Sequence, residues 1–243
     1  MAADRVTSTS TSTSTSTSTW ARLGWVFLFA LAMGFLEAIV VVYLRRLIFP
    51  GGLPAEGTVQ AATSAVTTGE VDILSRMYVE QVREACTIVM LAAVAWLAGF
   101  NWRSRVASFF LMFGVWDITY YVGLSWFGGW PSSLFEWDCL FLLPEPWFGP
   151  VFAPVLISLY FVTACAVAFV QEGAGRPLRV TWYVVVLQIA AFGLWYWSFV
   201  KDTNRILTGG YAGAEYSWLA LECGLALAVI GAWLSMRGTW RGA

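Results

Sequence analysis

The chain has 243 residues, of which 59% are hydrophobic, 17% aromatic and 12% charged, with a net charge of -1. Soluble domains average about 25% charged residues, so a 12% share is too small to cover a water-facing surface. The near-neutral balance argues against a nucleic-acid partner, and the lack of any histidine excludes HExxH zinc sites, bis-histidine haem and a triad with a histidine base.

Residues 1–19 are polar and end in an alternating Thr-Ser tract from Thr7 to Thr19. Such a segment has nothing to bury, so residues 1–21 read as a disordered tail. The apolar run after Arg22 is too long for a signal-peptide core, and no small-residue cleavage site follows it. It reads as a first membrane span over 23–44, stopped by Arg45-Arg46 and Pro50-Gly51-Gly52. A polar loop over 51–79 follows, with a short amphipathic helix near Val71–Tyr78.

The second span is expected over 82–100 and the third over 106–126, joined by a polar connection from Asn101 to Arg105. Gly128-Gly129-Trp130-Pro131 ends the third. Residues 132–146 hold Phe135-Glu136-Trp137-Asp138, the apolar piece Cys139–Leu143, and Pro144-Glu145-Pro146. That piece is too short to cross a bilayer and reads as interfacial or re-entrant. The fourth span is expected over 147–170, with Pro150 and Pro154 near its start, where proline is best tolerated. The fifth covers 180–200, the sixth 216–236, and 238–243 form a short tail. The expected fold is all-α: a polytopic membrane protein with six transmembrane helices in one domain, 22–237.

Six spans put both termini on one side. That side carries eight Arg and the other six Arg or Lys, so the positive-inside rule places the termini in the cytoplasm of a cell-membrane protein. Many of the 15 Trp residues lie near the ends of apolar runs, the pattern of rings anchored at headgroup level. The four cysteines form no CxxC pair and read as small apolar residues, not a disulfide framework.

A carboxylate at the centre of a membrane helix costs about 2.5 to 3.5 kcal/mol, so intramembrane acids are the natural site candidates. Glu37, Asp117 and Glu222 lie inside spans, and Glu84 lies near the start of the second. At about 1.5 Å per residue all four fall at mid-depth or in the outer half. Asp138, in the outer connection, can fold back to the same layer. Asp117, Tyr120 and Tyr121 share a helix face, so the phenols are potential hydrogen-bond partners of the acid. Glu80 and Glu84 share another face, with Arg83 beside them. Gly34, one turn before Glu37, allows a close helix approach.

The candidate polar site is therefore Glu37, Glu84, Asp117, Tyr120, Tyr121, Asp138 and Glu222, with Arg45, Arg46 and Arg83 as counter-charges. No cofactor is expected. An all-oxygen set would suit Mg²⁺, Mn²⁺ or Ca²⁺ on Glu37, Glu84 and Asp117; zinc is not expected, nor haem. Lys201, the only lysine, sits at a helix end, which argues against retinal. The partners expected are the lipid bilayer and a small ion or lipid-like ligand. The leading functional expectation is an outward-facing carboxylate site used in transport or in cation or proton handling. The alternatives are a membrane-embedded enzyme on lipid or lipid-linked substrates, and a non-catalytic subunit of a membrane complex. In each case the competing explanation is that the acids are protonated or paired and merely lock helices together.

Overall fold

The computed structural model describes residues 11–48, 73–211 and 213–240. Among these, six helices are long and apolar enough to cross a membrane. They belong to α1 (Thr11–Ile48), α2 (Ile73–Ala98), α3 (Trp102–Gly128), α4 (Phe152–Gly173), α5 (Trp182–Val200) and α7 (Trp218–Trp240), and the short α6 (Thr203–Gly209) follows α5. Between α3 and α4 stand two strands, β1 (Trp137–Phe141) and β2 (Trp147–Pro150). The expected six-span architecture is present, and successive spans alternate direction. The β1–β2 end is called the hairpin side, and the opposite end the terminal side.

Several boundaries differ from the sequence reading. The chain is helical from Thr11, inside the stretch expected to be a disordered tail, while residues 1–10 and 241–243 lie outside the described residues. Once a turn has formed, each further residue adds a hydrogen bond at small cost, so α1 runs on past its apolar part. The expected helix near Val71–Tyr78 is not separate: α2 is continuous from Ile73. Most of the 51–79 loop lies outside the described residues.

The polar stretch after Asn101 is the first turn of α3 rather than a connection. Asn101 Oδ1 accepts the Ser104 N–H at 3.0 Å, and Ser104 Oγ accepts the Asn101 N–H at 2.9 Å. This reciprocal cap satisfies two donors that a helix start leaves orphaned. At the other end Gly129 adopts the left-handed conformation (φ 69°) that closes the helix.

The fourth span does not begin at Trp147. Trp147–Pro150 is strand, paired antiparallel with β1 in the register Asp138↔Gly149 and Cys139↔Phe148. Pro150 lacks an N–H and sits at the strand's end, where no ladder bond is lost. The N–H groups of Val151 and Phe152 then donate to the carbonyls of Glu136 (3.0 Å) and Leu134 (2.7 Å). The loop before the hairpin thus covers the bare start of α4.

Two of the apolar clusters lie one in each half of the bundle. One joins α1, α2 and α3 through Ala30, Met33, Leu91, Leu111 and Met112. The other joins α4, α5 and α7 through Ile157, Ala191, Trp195 and Leu221. Helix α3 packs against α1, α2 and α4, linking the halves. Gly34, Gly114 and Gly123 allow its close approaches, a Cβ on Gly123 falling 2.6 Å from Ala38 Cβ. A Cβ on Gly34 would lie 2.7 Å from both Thr119 Cβ and the Trp116 carbonyl oxygen, and one on Gly114 would lie 2.6 Å from the Ser158 carbonyl oxygen. Large apolar side chains such as Trp96, Trp126, Trp182 and Leu219 cover the outside, as a lipid-facing surface requires.

Candidate functional site

Gly34 and Gly114 each precede an acid by three residues on the same helix, so the tight contacts of α1 with α3 and of α3 with α4 also position Glu37 and Asp117. Those two acids, with Glu80, Glu84 and Asp138, line one cavity of about 450 Å³. Its floor and walls include Phe113, Trp116, Tyr120, Phe161 and Trp195, and the hairpin residues Cys139–Leu143 close one side.

Each acid is held by a partner from another element or an adjacent turn. Glu37, only 7% exposed, pairs with Arg83 Nη1 across the α1–α2 contact and accepts a hydrogen bond from Thr87 Oγ. Arg83 Nε donates to Glu80 at 2.7 Å, so one guanidinium bridges two carboxylates. Glu84 accepts the backbone N–H of Leu142 at 2.9 Å, while Gln81 Nε2 donates to the Leu142 carbonyl at 3.2 Å. The hairpin is fastened to α2 by these two bonds. Asp117 accepts from Ser158 Oγ of α4 at 2.8 Å. Asp138, buried in β1, accepts from the Tyr121 hydroxyl at 3.2 Å.

The hairpin carries an electrostatic record of this clustering. Burial pushes the Cys139 thiol well above its usual range, and the carboxylates of Asp138 and Glu84 push it further. A thiol so raised is protonated at neutral pH and a poor nucleophile.

Of the residues expected from sequence, Glu37, Glu84, Asp117, Tyr120 and Asp138 line the cavity with Arg83, and Tyr121 reaches it through Asp138. Three fall elsewhere or undescribed. Glu222 is exposed on α7, whose buried face is Ala220, Leu221, Gly224 and Ala228; one residue of helical rotation carries it off that face. Arg46 is exposed and does not line the cavity, and the side chain of Arg45 lies outside the described residues. Among the described residues, no three acidic or cysteine side chains gather closely enough to hold a metal ion.

Sequence reasoning did not single out Thr87, Ser158 or Gln81, which position the acids. Isolated Thr, Ser and Gln are common interhelical links and carry no signal of their own. Glu80 was visible only as a neighbour of Glu84.

No protein-family model, curated protein or solved structure matches the chain.

Proposed function

We propose that this integral membrane protein binds a hydrophobic organic cation in the acid-lined cavity and handles or transports it from the outer leaflet. The observation that carries this reading is the meeting of five carboxyl groups, one guanidinium and a wall of aromatic rings in one cavity. A surplus of carboxylates in a medium of low dielectric must be neutralised by protons or by a bound cation. The rings of Trp116, Tyr120, Phe161 and Trp195 offer π faces that attract a cation more strongly once it has shed water. Apolar lining beside fixed polar groups is the usual form of a small-molecule site. The acids are held apart by partners on different elements, Arg83 for Glu37 and Glu80, Leu142 for Glu84, Ser158 for Asp117 and Tyr121 for Asp138. This spacing suits a diffuse ammonium or amidinium head better than a bare divalent ion, which demands converging oxygens. The excess of arginine on the terminal side supports a cytoplasmic location for the termini, and hence an outward-facing cavity.

The test uses the full chain in lipid nanodiscs, with binding of tetraethylammonium and of benzylamine followed by tryptophan fluorescence, since Trp116 and Trp195 line the cavity. Saturable binding that Asp117→Asn and Glu84→Gln each weaken by roughly tenfold or more supports the reading, and flux of the same cations into liposomes would make it transport. Absence of saturable binding, or binding unchanged in both variants, overturns it.

A further inference from the structure

A second cavity, of about 420 Å³, lies between α3, α4, α5 and α7, and Trp102 and Arg103 at the start of α3 line its terminal-side end. Phe110, Phe161, Phe192 and Trp195 line both this cavity and the acid-lined one. The two spaces therefore share a wall of four rings. Phe110 and Phe161 meet at 4.9 Å between centroids, and Phe161 meets Trp195 at 5.9 Å. Trp195 is held by its Nε1–H bond to the Leu221 carbonyl at 3.3 Å. Phe192 is 53% exposed, and an exposed ring changes rotamer on a fast timescale.

The two cavities differ in chemistry. The second is walled by Val106, Ala107, Ala164, Val184 and Ile189. Its central polar side chains are already engaged: Tyr160 Oη and Gln188 Nε2 both donate to the Ala228 carbonyl at 3.0 Å. Arg103 at its end lies 3.8 Å from the buried Glu172 carboxylate. A small hydrated ion leaving the acids would find no acidic partner here, so the second cavity does not extend an ion path. A hydrocarbon chain would find a continuous apolar sleeve.

We infer that the paired cavities form one site for a long-chain cationic amphiphile, with its ammonium head among the acids and its chain passing the Phe192 side of the ring wall into the second cavity. This rests on the cation-binding reading above and narrows its substrate class. An ordinary membrane lipid could also leave a chain in the sleeve, but its occupancy would depend neither on a cationic head nor on Asp117 or Glu84.

The experiment is photo-crosslinking of the full chain in nanodiscs with two amines, one of four carbons and one of twelve, each with a diazirine at the end remote from nitrogen. A twelve-carbon alcohol with the same diazirine serves as the uncharged control. The long amine is expected to label residues around the second cavity on α5 and α7, and the short amine residues of the acid-lined cavity. Filling the sleeve with Ala164→Trp, or independently Ile189→Trp, should cut long-amine labelling there by roughly tenfold and leave short-amine labelling unchanged. Ile189 is 65% exposed, so the second variant guards against misfolding of the first; thermal unfolding checks both. If the short amine labels its cavity while the long amine does not reach the sleeve, or the alcohol labels the sleeve equally well, the inference fails and cation binding stands. If neither amine gives saturable labelling, both fail.

Discussion

Glu84 accepts the backbone N–H of Leu142 at 2.9 Å, so an acid of the cavity also fastens the hairpin to the bundle. Gln81, one turn earlier on α2, takes the carbonyl of the same residue. One residue's two backbone groups are thus satisfied by two side chains, where the two-stranded sheet of the described residues offers no third strand to do it. The hairpin cannot shift without exposing both groups.

Charge and fastening at Glu84 are separable. Glu84→Gln keeps an acceptor for Leu142 and removes the charge. Stability should stay within about 0.5 kcal/mol of the parent, while organic-cation binding falls. Glu84→Ala loses both, and the unpaired N–H should cost about 1 to 3 kcal/mol. Unfolding in graded denaturing detergent, run beside the fluorescence titration, distinguishes the two. Equal losses of stability in both variants would show that the charge, not the acceptor, holds the hairpin.

Among the described residues, Arg83 is the only cation lining the acid-lined cavity. Arg83→Ala leaves Glu37, of which 9% of the side chain is exposed, without its counter-charge. Because the Arg83 side chain is itself 27% exposed, the loss should be smaller than the roughly 3 to 5 kcal/mol of a fully buried pair. Adding Glu37→Gln should recover the part of that loss that belongs to Glu37, because the neutral amide needs no counter-ion and can still accept from Thr87, while Glu80 stays without its partner. A double-mutant cycle measures the coupling directly; additive losses would mean that the pair contributes nothing beyond its separate members.

Gly114 faces the Ser158 carbonyl at a distance that leaves no room for a methyl group. Gly114→Ala should push α3 and α4 apart at a cost of about 1 to 3 kcal/mol and lengthen the 2.8 Å bond from Ser158 to Asp117. Ser158→Ala removes that bond without moving a helix, at about 1 kcal/mol. If both variants weaken cation binding, the placement of Asp117 matters as well as its charge. If Gly114→Ala is as stable as the parent, the close approach is not a constraint.

Glu37, Glu84 and Asp117 were legible in the sequence because the cost of an intramembrane carboxylate is local and depth can be counted along a helix. That counting grouped Glu37, Glu84 and Asp117 in one layer. The hairpin was half legible. Cys139–Leu143 was recognisably too short to cross a bilayer, but its pairing with Trp147–Pro150 depends on a partner strand, and Trp147 opens an apolar run that reads equally well as helix. Glu172 lies two residues past the expected end of the fourth span, yet it is buried and accepts from Asn101 Nδ2 at 2.7 Å and from the Leu178 N–H at 2.6 Å. Its role as a link between helix ends depended on where α4 stops.

Glu222 marks where counting failed. It has a suitable depth but lies on the wrong face, and depth alone cannot reveal that. A lipid-exposed helix is apolar all round, so the stripe that marks the buried face of a soluble helix is absent. On α7 that face is identified only by contacts such as Gly224 against the Trp195 indole. Exposed on the helix and four residues from Trp218 at its start, Glu222 lies about 6 Å along the axis from that end, within snorkelling reach of the headgroups. Glu222→Gln should therefore leave cation binding unchanged and alter stability by no more than about 0.5 kcal/mol, in contrast to Asp117→Asn. The paired measurement is a titration of both variants in the same nanodiscs. A loss of binding in Glu222→Gln equal to that in Asp117→Asn would mean that α7 turns its acid toward the ligand, and the assignment of the site to α1, α2, α3 and the hairpin would have to be redrawn.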